Sequence, residues 1–195
     1  MRARSPVRKV AALFLAGTFV AFLSGCSAST TSNTSDSGYV SGDGTTLLIS
    51  PEERGEVILL AGETLDGEQL DIAKWQGKLV VVNLWASWCG PCRSEAVDLE
   101  NSYLQFKDQG VEFLGLNTRD GLAAAKAFND RFKTSYPSIR DKDGQLTLAF
   151  GNLGPGATPS TIILDSNGRV AARILGPTTE PELRVVIAAV LESES

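Results

Sequence analysis

Residues 79–95 have the sequence LVVVNLWASWCGPCRSE, which is the most informative part of the chain. Its first part, Leu79–Trp85, is apolar apart from Asn83, which is typical of a central strand covered on both faces. Pro91 suits the first turn of a helix, where its missing N–H needs no partner. The stretch therefore predicts a buried strand that leads into a helix, with Cys89 and Cys92 at the junction.

The spacing of these two cysteines indicates thiol chemistry. Cys89 would begin the helix, where unpaired backbone N–H groups and the positive end of the dipole favour its thiolate. Cys92 would lie one turn further on, shielded and able to attack a mixed disulfide. The alternatives are a structural disulfide and half of a metal site. A metal site needs further ligands, and the chain has no histidine and only three cysteines, the third being Cys26.

The composition excludes several other classes of protein. Without histidine, the 195 residues cannot provide Ser-His-Asp or Cys-His catalysis, or histidine-ligated zinc or haem. Four of the 18 basic residues precede Cys26, so the remainder has 14 basic and 23 acidic residues and a net charge of −9. An acidic chain without a basic block is a poor partner for nucleic acid. We therefore expect no nucleic-acid partner, no metal and no cofactor.

The first 26 residues resemble an export signal that ends in a lipid-attachment site. Met1–Lys9 is basic, and Val10–Leu23 is an apolar run of 14 residues. Such a run is too short to span a hydrocarbon core of about 30 Å. Leu23-Ser24-Gly25-Cys26 resembles the bacterial lipobox, in which the cysteine receives a diacylglycerol group. The alternatives are an ordinary signal peptide with an incidental cysteine and a short amphipathic anchor.

These features predict three regions along the chain. Residues 1–25 would be a lipoprotein signal peptide. Residues 26–50 would be the lipidated Cys26 and a flexible linker, because a Ser/Thr/Gly-rich stretch buries too little apolar surface to offset the entropy of ordering it. Residues 51–195 would form one folded domain.

Strand-like and helix-like segments alternate along this domain, which predicts an α/β fold. Asp120 is expected to cap the second helix, Asn167-Gly168 to supply the positive φ angles of a hairpin turn, and Thr179 to cap the last helix in a capping box with Glu182. The predicted elements are a hairpin (Glu56–Leu60 and Glu68–Leu70), a strand (Leu79–Trp85), a helix (Cys89–Gln109), a strand (Val111–Leu116), a helix ending at Phe132, a second hairpin (Ser160–Leu164 and Arg169–Leu175) and a final helix.

The run from Val82 to Glu95 identifies a family resemblance. From about Gly55 onward the chain resembles the thioredoxin superfamily, and more narrowly the membrane-tethered TlpA/ResA-like thiol–disulfide oxidoreductases of bacteria. The resemblance implies a central mixed sheet flanked by helices, with an N-terminal β-hairpin and a βα insertion. It also implies that Cys89 is the nucleophile and Cys92 the resolving cysteine.

The resemblance further implies roles for residues around the cysteines. Trp88, Gly90 and Pro91 would support the active site. Thioredoxins have a buried Asp six residues before the first cysteine, where this chain has Asn83. An amide cannot accept a proton, so the acceptor would be water or a carboxylate elsewhere. Glu95, one helical turn after Cys92, is the candidate, and the alternative is that it is a solvated helix residue.

A second site position follows from the same resemblance. Thr158-Pro159 precedes a predicted strand and is expected to contain a cis-proline that faces the cysteines and helps to bind the substrate. The loop from Phe150 to Pro159 is longer than is usual in the family. The family's substrate specificity therefore does not transfer directly to this chain.

The function implied is a reductant of disulfides in exported proteins on the outer face of the cytoplasmic membrane. A membrane thiol donor of the CcdA/DsbD type would supply electrons, and apocytochrome c is the substrate suggested by analogy. One alternative is an oxidase or isomerase, which would use the same residues. The others are a peroxidase and a tethered binding module with vestigial cysteines.

The lipobox predicts that Cys26→Ala releases or mislocalises the protein, because the thioether-linked lipid would be its anchor. Fractionation of cells that produce the full chain, with and without the substitution, measures this. A variant that stays membrane-bound and normally processed would contradict the lipid anchor.

Overall fold

The computed structural model describes residues 45–194, which include a six-stranded sheet with three helices. The strands are β1 (Thr46–Leu48), β2 (Ala61–Glu63), β3 (Gln69–Asp71), β4 (Leu79–Trp85), β5 (Val111–Thr118), β6 (Ser138–Asp141), β7 (Ser160–Leu164) and β8 (Val170–Leu175). The helices are α1 (Gly90–Phe106), α2 (Leu122–Phe132) and α3 (Glu180–Glu192). Short 3-10 helices occupy Ile72–Trp75, Lys107–Gln109 and Leu146–Leu153.

The six-stranded sheet has the order β1-β8-β7-β4-β5-β6, and β2 pairs with β3 as a separate hairpin. β4 is parallel to β5 and antiparallel to β7, so the sheet is mixed. The unit β4-α1-β5 and the unit β7-β8-α3 form the two halves of the thioredoxin-like fold. Between them, α2 and β6 extend the sheet beyond β5, and this pair is the βα insertion. The predicted fold class is confirmed.

Alternation along β4 assigns its side chains to two hydrophobic clusters. Leu79 and Val81 pack on one face of the sheet with residues of α1 and α3, whereas Val80 and Val82 pack on the other. Side chains alternate along a strand, so Asn83 points to the same face as Leu79 and Val81. This placement puts an amide under helix α1 in an otherwise apolar layer.

Several local predictions are correct. β4 and β7 have the predicted bounds, and β8 starts one residue later than predicted. The backbone N–H of Glu182 donates to the Thr179 hydroxyl, so Thr179 caps α3. The predicted capping box does not form, because the Glu182 carboxylate accepts from the hydroxyls of Thr46 and Thr178 instead of from the Thr179 N–H. The hydrogen bond between Thr46 and Glu182 ties the start of α3 to the edge strand β1.

The structure corrects the boundary of the predicted linker. Thr46–Leu48 pairs with β8, with Thr46 opposite Ile174, so the folded domain begins before residue 51. Residues 26–44 of the predicted linker, Cys26 among them, and the signal peptide lie outside the described residues. Among residues 45–194, no helix is long and apolar enough to cross a membrane.

Two predicted turns differ in detail. The first hairpin forms, but its first strand is Ala61–Glu63 instead of Glu56–Leu60. In the second hairpin Gly168 has a positive φ of 81°, as predicted, but Asn167 does not. The Gly168 N–H donates to the Asp165 carbonyl oxygen, so the loop is an ordinary turn that begins at Asp165 and ends in one left-handed glycine.

Candidate active site

The two cysteines lie where β4 ends and α1 begins. They form a disulfide with an S–S distance of 2.04 Å and a Cα–Cα distance of 5.3 Å. Cys89 is the N-cap residue of α1, and its Sγ accepts a hydrogen bond from the backbone N–H of Cys92 at 3.1 Å. Pro91 lies in the first turn, as predicted. The N-terminal N–H groups of α1 therefore act on Cys89, which favours negative charge on its sulfur.

Both cysteines are buried. Cys92 is 1% exposed and Cys89 is 4% exposed. Both pack in a hydrophobic cluster with Trp85 and with Phe128 of α2. Trp85 and Phe128 have ring centroids 4.5 Å apart. The βα insertion therefore shields Cys92 from solvent through α2.

The segment before Cys89 is held by hydrogen bonds to the end of β5. The Asp120 carboxylate accepts from the backbone N–H of Ser87 at 2.6 Å and from its hydroxyl at 2.7 Å. The Trp88 indole N–H donates to the carbonyl oxygen of Arg119 at 3.1 Å, while its ring is 58% exposed. Arg93 donates to the carbonyl oxygen of Ser87 at 2.6 Å. Trp88 is thus an exposed apolar surface with a fixed orientation.

The prediction that Asp120 caps α2 is wrong. The N-cap residue of α2 is Gly121, and no side chain caps this helix. Burial alone would raise the pKa of Asp120, but hydrogen bonds from Ser87, Asn117 and the Gly121 backbone outweigh it and lower that pKa. Asp120 is therefore an ionised residue that fixes the active-site loop.

Glu95 is a buried carboxylate on α1, three residues after Cys92. Its side chain accepts from the Asn83 amide at 2.9 Å and from the backbone N–H of Thr178 at 3.0 Å, and the residue is 1% exposed. Burial raises its pKa from 4.5 to about 7; the hydrogen bonds from Thr178 and Asn83 oppose this shift, and the charge of Asp98 adds to it. A solvated helix glutamate is therefore excluded, and the group can exchange a proton near neutral pH.

Asn83 binds Glu95 and lines a crevice that Cys92 also lines. Its amide also donates to the Thr161 hydroxyl on β7 at 3.2 Å. Asn83, Cys92 and Tyr136 line one narrow crevice beneath α1. At the position where thioredoxins have an acid, this chain thus has an amide that orients an acid from the neighbouring helix.

One of the two predicted substrate-binding positions, Thr158, lies close to the cysteine motif. The Thr158–Pro159 peptide bond is cis. Thr158 and Trp88 line the same surface cavity of about 190 Å³, together with Leu84 and Arg119. Pro155, Gly156 and Ala157 of the long loop also line this cavity, and the 3-10 helix Leu146–Leu153 borders it through Thr147.

Sequence reasoning missed three contributors to this site. Thr178 is far from Glu95 in sequence, and Asp120 and Arg119 follow a strand that the motif does not include. Parallel pairing of β4 and β5 brings their C-terminal ends together, as at Trp85 and Asn117. The polar residues Thr118, Arg119 and Asp120 at the end of β5 were a signal that these side chains lie close to the cysteine motif, since the ends of parallel strands meet at one edge of the sheet.

A disulfide at the start of a helix, after a buried strand and in a fold with a cis Thr158–Pro159 bond, defines a thioredoxin-fold thiol–disulfide oxidoreductase. The Redoxin family model matches residues 50–189, and the chain belongs to this family as a TlpA/ResA-like member of the thioredoxin superfamily. Its activity is thiol–disulfide exchange.

Individual relatives agree with this classification. The thiol-disulfide oxidoreductase ResA of Geobacillus kaustophilus (strain HTA426) is 33% identical over 119 residues, which are 61% of this chain and 67% of that protein. The structure of a DsbF homologue from Corynebacterium diphtheriae matches with a TM-score of 0.71 and 32% identity over 77% of this chain and 96% of that one. A secreted thiol-disulfide isomerase from Corynebacterium glutamicum matches with a TM-score of 0.71 and 28% identity, covering 80% of this chain and 97% of that one.

Proposed function

We propose that the protein reduces disulfides of exported proteins, with Cys89 as the nucleophile and Cys92 as the resolving cysteine. The observation that carries this proposal is the placement of Cys89 at the N-terminus of α1, where the Cys92 N–H contacts its sulfur. The Cys89 thiolate attacks a substrate disulfide and displaces one substrate thiolate. Cys92 then loses its proton and attacks Cys89, which releases the second substrate thiol and forms the Cys89–Cys92 disulfide.

Glu95 is the proposed acceptor of the Cys92 proton. The carboxylate lies on the same face of α1, one turn after Cys92, and its pKa of about 7 matches a group that takes up a proton near neutral pH. Asn83 and Thr178 are positioning residues, because each donates a hydrogen bond to one oxygen of this carboxylate.

The surroundings of the cysteines favour a reductant. An ionised Glu95 near Cys92 disfavours a second negative charge on the thiolate, so it destabilises the reduced form relative to the disulfide. Strong oxidants have a stabilised reduced form and a potential of about −120 mV, whereas the potential of thioredoxin is about −270 mV. The Gly90-Pro91 dipeptide between the cysteines also matches thioredoxin. An oxidase or isomerase is the second candidate, and the C. glutamicum protein described as an isomerase favours it.

The proposed location is the outer face of the cytoplasmic membrane, with a lipid anchor at Cys26. The N-terminal sequence supports export, and the C. glutamicum neighbour is described as secreted. A reductant in an oxidising compartment needs a supply of electrons, and the TlpA/ResA-like resemblance suggests a membrane donor of the CcdA/DsbD type. Apocytochrome c is the substrate suggested by the same analogy.

The division of roles predicts that Cys92→Ser accumulates mixed disulfides on Cys89, because the resolving attack is lost. Non-reducing gels and mass spectrometry of the full chain produced in cells would detect these adducts and their loss on reduction. Cys89→Ser is the matched control and is expected to form few adducts. Adducts of equal amount in the two variants would contradict the assignment of the nucleophile.

The reductant proposal predicts a potential below about −200 mV, because the charge of an ionised Glu95 near Cys92 opposes the stabilisation that the start of α1 gives to the Cys89 thiolate. Equilibration of the full chain with glutathione or a thioredoxin standard measures this value. A potential close to about −120 mV would instead place the protein among disulfide oxidases.

A further inference from the structure

The surface cavity beside the disulfide contains a cationic side chain that the exchange mechanism does not use. We propose that Arg119 is a specificity-determining residue, which binds an acidic side chain, Asp or Glu, next to the reactive cysteine of a substrate segment. This inference rests on the proposed function, because it requires that substrates bind in the groove between Trp88 and Thr158.

The backbone of Arg119 has an uncommon conformation. Its φ is 49°, in the left-handed region that residues other than Gly, Asn and Asp rarely adopt. Two hydrogen bonds hold it there: its N–H donates to the Asp141 carbonyl oxygen at 3.0 Å, and its own carbonyl oxygen accepts from the Trp88 indole at 3.1 Å. Such conformations persist where the surroundings enforce them, and they are concentrated at functional sites.

The guanidinium of Arg119 lies against a glycine. A Cβ atom at Gly144 would be 2.8 Å from Nε and 3.0 Å from Nη2 of Arg119, so a larger residue would displace this side chain. Gly144 ends a turn that starts at Asp141, and both Gly144 and Arg119 line the cavity. The turn from Asp141 to Gly144 therefore leaves room for the Arg119 side chain at the wall of the cavity.

Arg119 forms no ion pair in the part of the chain that the structure describes. Within residues 45–194, no Asp or Glu oxygen lies within 4.0 Å of its guanidinium, and no acidic residue lines the cavity. Asp120 is instead bound to Ser87, and one oxygen of Asp141 accepts from the Leu146 N–H. Arginine binds carboxylates with paired N–H donors, so an acidic group of a partner fits this position.

The rest of the cavity defines the segment that could bring such a group. Its lining is apolar at Leu84, Trp88 and Pro155, and hydroxyl-bearing at Thr118 and Thr147. A volume of about 190 Å³ suits a side chain or two and not a folded domain. Because Trp88 immediately precedes Cys89, a residue bound here belongs to the same extended segment as the cysteine under attack.

The test compares three peptides that share one disulfide and differ only in having Glu, Gln or Lys beside the cysteine. The full chain, reduced beforehand, should react with the Glu peptide about fivefold faster than with the Lys peptide at low salt, the range of an exposed ion pair. The preference should weaken in high salt, which screens exposed charges. Arg119→Glu should reverse the preference, and Arg119→Lys should retain it.

Arg184→Glu is the control, since it makes the same change of charge on α3 at an exposed residue that does not line the cavity. Its peptide preference should match that of the unmodified chain. An identical preference in Arg119→Glu and Arg184→Glu would overturn the role of Arg119 while leaving thiol–disulfide exchange intact. Failure of the unmodified chain to reduce any of the peptides would overturn the proposed function together with this inference.

Discussion

The burial of one carboxylate organises the active site. Glu95 is 1% exposed on α1, and its two oxygens accept hydrogen bonds from β4 through Asn83 and from the segment before α3 through Thr178. A buried charge is costly unless hydrogen bonds compensate it. Here two donors from distant parts of the chain compensate it only in part, and the pKa remains raised, at about 7. The fold therefore holds a proton-exchanging group one helical turn from Cys92.

The other polar contacts of the site hold the segment before Cys89 in place, and they do not depend on a group that titrates near neutral pH. Asp120 has a lowered pKa and holds Ser87, while the Arg119 carbonyl orients the Trp88 indole. The two carboxylates thus have separate tasks, because one is desolvated beneath α1 and the other is well supplied with donors at the surface. This separation of environments is how a single fold provides both a fixed anion and a titratable one.

Local patterns in the sequence predicted the elements that depend on neighbouring residues. The apolar run of β4, the helix after Cys89 and the Thr179 cap each follow from adjacent side chains. Long-range pairing was invisible to the same reasoning. β1 and β6 are edge strands of only three and four residues. Asp120 accepts hydrogen bonds from Ser87, more than thirty positions away, instead of capping the helix that follows it. The Asn83–Glu95 hydrogen bond likewise depends on how α1 packs on the sheet.

The most direct test of the account is the rate of thiol–disulfide exchange against pH for the full chain and for Glu95→Gln. The substitution keeps the shape of the side chain and removes its titration. The unmodified chain should show an inflection near pH 7, with resolution becoming faster as Glu95 ionises and can accept the Cys92 proton. Glu95→Gln should lack this inflection while retaining the Cys89–Cys92 disulfide. Superimposable profiles would show that Glu95 does not take part in the proton transfer.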